Sequence, residues 1–313
     1  MAGTIVLLAP SAGTLARILA GGAVAVLGLS YAGLILLPEA AIHPASGVEA
    51  FHAGLWRGIY SHKNMAGPLM ASLVFVGIYL MRRGQHWLGA GIAVLALIFV
   101  WNTGSKTSAA LAPAIVIMVL LPAMTGMRTL AAIAVLAAII SINALTIGSV
   151  FVPGFDAILR TFNETTTFTG RTEIWEFAGD FVLQRPWTGF GFDSFWGTGI
   201  TADAEQPFDR AWDPRGIIHG HNGFLDIALF MGVPAMLLAV WLFVIAPVWQ
   251  YIRTPSLLEN ALLADLCLMI VAFLVMNSAL ESYFFRRADP AWLTLVIALM
   301  GLRLCARQRI VDR

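Results

Sequence analysis

The chain has 313 residues, of which 59% are hydrophobic and 12% are charged. Soluble domains carry roughly 25% charged residues, so this composition and a mean hydropathy of +0.80 exclude an ordinary soluble domain and indicate a polytopic membrane protein. The net charge of +1 implies no nucleic-acid partner. Cys267 and Cys305 both fall in apolar runs, which favours packing roles over a disulfide, and the sequence has no Cys/His spacing typical of a metal site.

Eight apolar runs approach the roughly 20 residues that a membrane-spanning helix needs. They cover residues 17–37, 65–81, 87–101, 108–124, 130–152, 222–249, 259–280 and 291–305, of which the third and the last are short. The first run is too long for the apolar core of a signal peptide, and no convincing cleavage site follows it, so we expect a retained anchor. The predicted fold class is therefore all-α, a polytopic membrane helix bundle of about eight spans that forms a single integral membrane domain over residues 1–313.

Arginines near the span ends predict the orientation of this bundle. Those that fall on one side are Arg17, Arg82, Arg83, Arg128, Arg253, Arg303, Arg307, Arg309 and Arg313. The excess of positive charge in short loops marks that side as cytoplasmic. Segments 38–64, 102–107, 153–221 and 281–290 would then face outward. Segment 153–221 is predicted to be one long outward-facing loop that is partly helical, with a short helix from Arg171 to Leu183 that Pro186 stops.

Cations in the outward segments run against this charge rule. They are Arg57, Lys63, Lys106, Arg160, Arg171, Arg185, Arg210, Arg215, Arg286 and Arg287. An anionic ligand would compensate for them. The alternative is ion pairing with nearby carboxylates, for which Glu281 and Asp289 are candidates beside Arg286 and Arg287. Lys63 and Lys106 have no acidic neighbour in the sequence, which favours a ligand for the set as a whole.

Two histidines and an asparagine lie where the long loop meets the sixth predicted span. His219, His221 and Asn222 come just before the apolar run from Phe224 to Val248, which places the imidazoles where a membrane helix meets water. Histidine in such a position is available for proton transfer near neutral pH. Alternatively, these residues are interfacial polar groups that cap the helix, and the His-x-His-Asn pattern does not by itself decide between the two.

Four stretches of the sequence resemble the O-antigen ligase and exopolysaccharide polymerase superfamily of bacterial inner-membrane proteins. They are Ser61–Gly67 with a His-Lys-Asn box, Thr103–Thr107, Gly170–Trp175 followed by Pro186–Gly191, and His219–Leu225 with Gly232 downstream. All four occur in the order of that superfamily and on one face of the predicted bundle. Its members usually have more spans before the His-Lys-Asn box, so we expect a compact member, a divergent relative, or a start that has been assigned too late.

The resemblance implies a membrane glycosyltransferase that moves a glycan from an undecaprenyl-diphosphate carrier to a hydroxyl of a saccharide or lipid acceptor. It would work in contact with membrane lipid, at the periplasmic face of the bacterial inner membrane. The candidates for binding the diphosphate are the cations Arg171, Lys106 and Lys63, with Arg286 and Arg287 as weaker ones. His221 is the candidate general base, His219 is a possible second one, and Asn222 would orient the histidine or a sugar hydroxyl. Direct displacement would invert the anomeric centre, with no metal and no other cofactor.

Other functions make different predictions. Within the superfamily a ligase and a polymerase differ in the acceptor, and the His-Lys-Asn box favours the exopolysaccharide-type polymerase. A transporter or flippase for polysaccharides or lipid-linked sugars would have ionisable residues near mid-bilayer and interrupted helices in pairs. The spans here are mostly uninterrupted, although Asp265, an intramembrane carboxylate, suits either a functional or a structural role. A structural subunit without catalysis would leave the outward cations and the histidine motif unexplained.

Overall fold

The computed structural model describes residues 11–46, 50–162, 168, 170–204 and 213–310. Within these residues the chain forms helices and no β-strand, and Ile42 and Trp56 make one isolated antiparallel bridge. Seven of the described helices are long and apolar enough to span a membrane, and a further apolar helix has 17 residues. The prediction of an all-α, polytopic helix bundle with about eight spans is therefore confirmed.

The described helices of five or more residues are numbered in chain order. They are α1 (Ala12–Leu36), α2 (Lys63–Arg82), α3 (His86–Asn102), α4 (Lys106–Met124), α5 (Arg128–Leu145), α6 (Ile147–Phe151), α7 (Pro153–Phe162), α8 (Arg171–Gln184), α9 (Gly223–Ile252), α10 (Leu258–Asn277) and α11 (Pro290–Arg307). Shorter turns of helix cover Pro38–Ala41, Ala50–His52, Gly199–Ala202 and Pro214–Gly216. Each predicted span has its helix, and the two that were expected to be short, α3 and α11, have 17 and 18 residues.

Side-chain caps explain where five of the described membrane helices begin, and three of these caps lie in stretches that resemble the superfamily. The first backbone N–H groups of a helix have no partner inside it, and a polar side chain just before the helix can accept their hydrogen bonds. His62 caps α2, Ser105 caps α4 and Asn222 caps α9. Three of the four stretches that resemble the superfamily therefore begin membrane helices. The capping alternative that the sequence leaves open for the His-x-His-Asn motif holds for Asn222.

Segment 153–221 contains more helix than the sequence pattern predicts. The predicted helix from Arg171 to Leu183 corresponds to α8, which ends one residue later and before Pro186. The pattern does not predict α7, because the Pro153-Gly154 pair at its start is typical of turns. The fifth span is shorter than predicted: α5 ends at Leu145 rather than at residue 152, since Thr146 leaves the helical conformation with φ −97° and ψ −98°.

The helix α9 is interrupted at Gly232, and backbone groups at this break bind the loop that follows α8. Gly232 has φ 84° and ψ 168°, and the Trp187 carbonyl lies so close to it that a β-carbon would not fit. Two carbonyls of α9 just before the break accept hydrogen bonds from the N–H groups of Phe190 and Gly191, at 2.8 and 3.0 Å. Backbone groups that the break releases are thus bound by protein, as the interior of a membrane requires.

The chain forms two compact units. The first contains residues 1–135, 247–277 and 287–313, and the second contains residues 136–246 and 278–286. Both units include membrane-spanning helix, since α2, α4, α10 and α11 lie in the first and most of α9 lies in the second. The assignment of residues 1–313 to a single membrane domain stays a prediction.

In the first unit, Asp265 is held by two partners. Its carboxylate accepts a hydrogen bond from Arg82 at 2.7 Å and another from the Tyr251 hydroxyl at 2.8 Å. A second pair, Arg83 with Glu259 at 2.9 Å, lies in the same unit and also joins α2 to α10. These contacts favour the structural role for Asp265, because the carboxylate is buried and both of its oxygens are used.

Candidate functional site

Trp175 of α8 anchors the turn that carries the two histidines. Its side chain is fully buried in a core cluster of the second unit, together with Phe195 and Leu229. Its Nε1 donates a hydrogen bond to the Gly220 carbonyl at 2.9 Å. One side chain thus packs in the core and also binds the turn, so α8 fixes where residues 219–222 lie.

Asp226 of α9 holds the same turn from the other side. Its carboxylate accepts hydrogen bonds from the Gly220 N–H at 3.0 Å and from Trp196 Nε1 at 2.7 Å. A β-carbon on Gly220 would lie 2.7 Å from Asp226 Oδ1, so this approach requires glycine. Because Gly220 is bound through both its N–H and its carbonyl, the flanking His219 and His221 are held by a rigid backbone.

Asn222 attaches this turn to the segment that follows α10. While its Oδ1 caps α9, its Nδ2 donates a hydrogen bond to the Ala279 carbonyl at 3.2 Å. The N–H of Gly223 donates to the Ser278 carbonyl at 2.9 Å. The segment that contains Glu281 is therefore bound directly to the histidine turn, and Asn222 is fully buried at the junction.

Glu281 lies between Arg171 and His221. Its Oε1 accepts a hydrogen bond from Arg171 Nη2 at 2.9 Å, and its Oε2 lies 3.5 Å from His221 Nδ1. The ring of His219 packs against that of His221 with centroids 4.1 Å apart, and His219 Nδ1 accepts the His221 backbone N–H at 3.3 Å. The second unit thus brings together three of the predicted site residues, Arg171, His219 and His221, around one carboxylate, and Asn222 directly follows His221.

Three buried side-chain atoms of α8 and the histidine turn have no hydrogen-bond partner within the described part of the chain. They are Arg171 Nε, Glu173 Oε2 and His221 Nδ1. An unbonded buried polar group costs about 1–3 kcal/mol, so native structures contain few of them. His221 also has φ 51°, in the left-handed region that residues other than glycine rarely occupy. Unused hydrogen-bonding capacity together with backbone strain is typical of a binding or catalytic site.

Lys63 and Lys106 belong to the first unit, where each is the first residue of a helix. A β-carbon on Gly67 of α2 would lie 2.9 Å from the side chain of Ser105, which caps α4, so the beginnings of α2 and α4 are adjacent. The N-terminal end of a helix carries a partial positive charge, which adds to that of the lysines. The first unit therefore has a local concentration of positive charge where these two helices begin.

Three further predicted cations lie elsewhere. Arg286 belongs to the second unit, where its Nη2 lies 3.4 Å from the carbonyl of Ile218, directly before the histidine turn. Arg287 is exposed and belongs to the first unit. Arg210 lies outside the described residues, so the structure gives no position for it.

A large apolar groove of the second unit reaches the histidine turn. Its volume is ≈ 770 Å³. Asn222 and Phe224 line it where α9 begins, Phe151 of α6 lines it as well, and most of the other lining residues are aliphatic side chains of α5, α8 and α9. A groove with this lining can hold a hydrocarbon chain next to the histidine turn, because apolar side chains cover almost all of its wall.

Residues 69–240, more than half of the chain, match the O-antigen ligase family. The chain belongs to the O-antigen ligase family. Over 203 residues it is also 26% identical to the exopolysaccharide production protein ExoQ of Rhizobium meliloti (strain 1021), a match that covers 60% of this chain and 45% of ExoQ. The chain thus spans about half the length of this curated relative. The resemblance inferred from four short stretches of sequence is confirmed.

Most of the site of this O-antigen ligase family member lies within the matched region. Residues 69–240 include Lys106, Arg171 and the whole histidine turn. Lys63 precedes the matched region, and Glu281 follows it. The carboxylate that joins Arg171 to His221 is therefore found from the three-dimensional contacts of the second unit rather than from the family match.

Two residues of the site, Asp226 and Glu281, are absent from the sequence-based prediction. Asp226 could have been identified from the sequence, because it is a carboxylate inside a long apolar run, where ionisable residues are rare. Glu281 was considered only as a partner of Arg286 or Arg287. Its contact with Arg171 joins positions 110 residues apart in the chain, and no local pattern indicates such a pairing.

His219, His221 and Glu281 also form a group that could hold a metal ion. Among the described residues they are the one set whose ligand atoms all lie within 4.8 Å of one another. Two histidines and a glutamate are a known zinc ligand set. However, Glu281 is already bound and neutralised by Arg171 at 2.9 Å, and a cation beside the metal would oppose binding. The contacts therefore favour an arginine–carboxylate–imidazole arrangement, and metal-independent chemistry stays a prediction.

Proposed function

We propose that this protein transfers a glycan from an undecaprenyl-diphosphate carrier to an acceptor hydroxyl, at the periplasmic face of the bacterial inner membrane. One observation carries the proposal: Glu281 links a guanidinium, that of Arg171, to an imidazole, that of His221, and both have an unbonded buried nitrogen. Membership of the O-antigen ligase family supports glycan transfer as the reaction class. The apolar groove beside the turn suits the hydrocarbon part of a lipid carrier.

Arg171 binds the diphosphate in this proposal. Its Nη2 is used by Glu281, while its buried Nε is unbonded, so the guanidinium has a donor to offer to a phosphate oxygen. Negative charge builds up on the diphosphate as the glycosidic bond breaks, and a cation fixed in advance stabilises that charge. Arg286, which belongs to the same unit, is proposed as a further cation that binds the same diphosphate, and the roles of Lys63, Lys106 and Arg287 in the first unit stay predictions.

His221 acts as the general base. The acceptor hydroxyl oxygen attacks the anomeric carbon, and its proton passes to His221. The bond between the anomeric carbon and the diphosphate oxygen breaks, and its electron pair leaves with the diphosphate. A single displacement of this kind inverts the anomeric centre and needs no metal. Glu281 faces Nδ1 of His221, which leaves Nε2 to take the proton, as in other carboxylate–histidine pairs. The 3.5 Å separation would shorten with substrate bound, as is common for catalytic hydrogen bonds.

The acceptor is proposed to be a growing polysaccharide rather than a lipid core or a protein. The support for this comes from the relative ExoQ, whose name describes exopolysaccharide production, and from the His-Lys-Asn box at residues 62–64. A transporter or flippase has less support, because it would need a pair of broken helices near mid-bilayer. Among the described membrane helices only α9 has a non-helical residue inside it, and protein backbone fills that break.

The test is glycan transfer in proteoliposomes supplied with an undecaprenyl-diphosphate-linked oligosaccharide and a labelled acceptor. His221→Ala is expected to lower kcat by about 10²–10⁴-fold, the usual contribution of a general base, while binding of the lipid-linked donor changes little. His86→Ala is the matched control, because His86 is an exposed imidazole at the start of α3. Equal turnover of the two variants would remove His221 from the base role, and the identity of the labelled product separates a polymerase from a ligase.

A further inference from the structure

A polar pocket lies between three helices of the second unit, next to the apolar groove but separate from it. Its volume is ≈ 350 Å³. The side chains that give it its chemical character are Ser149, Phe151, Asp156, Arg160, Thr172 and Glu176. Nothing in the proposed transfer reaction uses these residues, so the pocket needs an explanation of its own.

Each of the three helices contributes part of this lining. Asp156 and Arg160 are one turn apart on α7, as are Thr172 and Glu176 on α8, so each pair lies on one face of its helix. On α7 the opposite face exposes apolar side chains such as Ile158, which makes the helix amphipathic. The polar face of α7 and the polar face of α8 therefore both line the pocket.

The charges in the pocket favour a neutral, hydroxyl-rich ligand over an anion. Arg160 is bound to Asp156 at 2.6 Å, and this carboxylate raises the pKa of Arg160. The pair is neutral overall, so Glu176 leaves the lining with a net negative charge that would repel a phosphate or a lipid headgroup phosphate. Carboxylates accept hydrogen bonds from hydroxyl groups, a guanidinium donates them, and the hydroxyl groups of Ser149 and Thr172 can do both.

The size and aromatic content of the pocket fit the same ligand class. A volume of ≈ 350 Å³ lies at the small end of ligand pockets, which range over about 300–1,000 Å³, so it has room for about one or two sugar rings. The Phe151 ring packs on Gly179 of α8, where a β-carbon would come within 2.5 Å of it, and is 51% exposed. An exposed aromatic face can pack against the apolar face of a sugar ring.

The position of the pocket relates it to the site. Thr172 directly follows Arg171 in α8, so the pocket begins one residue from the proposed diphosphate ligand. Phe151 lines both the pocket and the apolar groove that contains Asn222. A lipid-linked sugar has an apolar tail, a diphosphate and a sugar in that order, and the second unit offers an apolar groove, Arg171 and a polar pocket as neighbours.

From these contacts we propose that the pocket between α6, α7 and α8 binds a sugar ring of the glycan substrate. This inference rests on the proposed function, because it takes Arg171 as the diphosphate ligand. Glu176 accepts hydrogen bonds from sugar hydroxyls, and Phe151 packs against the ring. The same chemistry would suit the first sugar of the donor or the terminal sugar of the acceptor, and the measurement must separate these two sources.

The test uses Glu176→Gln in the full-length protein, with binding measured for two carriers: undecaprenyl diphosphate alone and the same carrier with its glycan. If the pocket holds the donor sugar, loss of a charge-assisted hydrogen bond is expected to weaken binding of the glycan-linked carrier by about tenfold and to leave binding of the bare carrier unchanged. If it holds the acceptor sugar, binding of both carriers stays as in the wild-type protein. Asp180→Asn is the matched control, since Asp180 is an exposed carboxylate one turn further along α8 that does not line the pocket. It is expected to bind both carriers as the wild-type protein does.

Steady-state transfer separates the two sources of the sugar. If the pocket holds the donor sugar, Glu176→Gln raises the KM for the glycan-linked donor, and if it holds the acceptor sugar, the variant raises the KM for the acceptor alone. Wild-type binding and wild-type KM for both substrates would overturn the inference. Arg171→Ala is measured in parallel, because it should weaken binding of both carriers. If Arg171→Ala changes neither, it is the proposed function that fails, whatever the result at Glu176.

Discussion

Asp265 in the first unit and Glu281 in the second unit each bind an arginine, but the two carboxylates differ in what their second oxygen does. Both oxygens of Asp265 are within 2.8 Å of a donor, Arg82 or Tyr251, and its side chain is 2% exposed. Glu281 binds Arg171 at 2.9 Å, while its other oxygen is 3.5 Å from His221, and its side chain is 18% exposed.

This difference between Asp265 and Glu281 distinguishes a carboxylate that stabilises the fold from one that we propose takes part in the reaction. A buried charge is tolerated when it is paired and hydrogen-bonded, and each oxygen of Asp265 has a donor within 2.8 Å. Around Glu281, Arg171 and His221 each retain a buried nitrogen without a partner in the described residues. An arginine–carboxylate pair therefore connects two helices in the first unit, whereas in the second unit we propose that such a pair binds substrate.

The largest expected effect that would test this contrast is on catalysis at Glu281. Glu281→Gln is expected to lower kcat by about 10³-fold, somewhat less than the roughly 10⁴-fold loss in serine proteases whose aspartate is changed to asparagine, because the contact with His221 is longer here. As a positioning residue, Glu281 should also affect the pH–rate profile.

A purely structural Glu281 would give a different result. In that case Glu281→Gln would lower the unfolding temperature in detergent and leave the pH–rate profile of the remaining folded protein where it was. Glu281→Asp is the informative companion variant, since it keeps the charge but withdraws it by one methylene. Partial recovery of kcat in Glu281→Asp relative to Glu281→Gln would support an electrostatic role, and no recovery together with lower stability would contradict it.

The next largest effect is on stability at Asp265. Asp265→Ala leaves Arg82 and the Tyr251 hydroxyl without their partner in the first unit, and we expect a loss of about 3 kcal/mol in the free energy of unfolding, at the lower end for buried pairs because Arg82 is partly exposed. Denaturant titration in detergent measures it, and Tyr251→Phe, which removes one hydrogen bond, should lose only about 1 kcal/mol. A fall in kcat per folded molecule as large as that of Glu281→Gln would abolish the contrast between the two carboxylates.

The membrane helices could be predicted from the sequence because their signal is local and long. A run of apolar residues of bilayer length has few alternatives, and all eight predicted runs contain an observed helix. The errors in the predicted helices occur where the end of an apolar run and the end of a helix fall at different residues, or where a helix is not preceded by the usual pattern. The apolar run of the fifth span continues past Thr146, where the backbone leaves the helix, and α7 begins at a Pro-Gly pair that is typical of a turn.

The site could be predicted only in part, because its residues meet through contacts that sequence spacing does not record. Arg171 and His221 were identified as candidates from their residue types and their stretches. Their link through Glu281 was not, since it requires the segment after α10 to be bound to the histidine turn by Asn222 and Ala279. The hydrogen bond from the Gly220 N–H to Asp226 likewise depends on the direction in which α9 begins after the turn.

The smallest expected effect concerns a third arginine–carboxylate pair, Asp213 with Arg215, which lies just before the histidine turn and is exposed at both members. Hydrogen bonds from the side chain and backbone of Arg215 lower the pKa of Asp213 to about 2. Because the folded-state pKa lies below the ordinary value, the pair contributes stability at neutral pH and loses it as the pH falls through about 4 towards 2.

Asp213→Asn should therefore be slightly less stable than wild type at pH 7, and the difference in unfolding temperature should disappear near pH 2. Solvent screens such exposed pairs, so even at pH 7 the difference should be far smaller than that of Asp265→Ala. A large difference, or one that grows in acid, would mean that Asp213 has a role that its exposed position beside Arg215 does not explain.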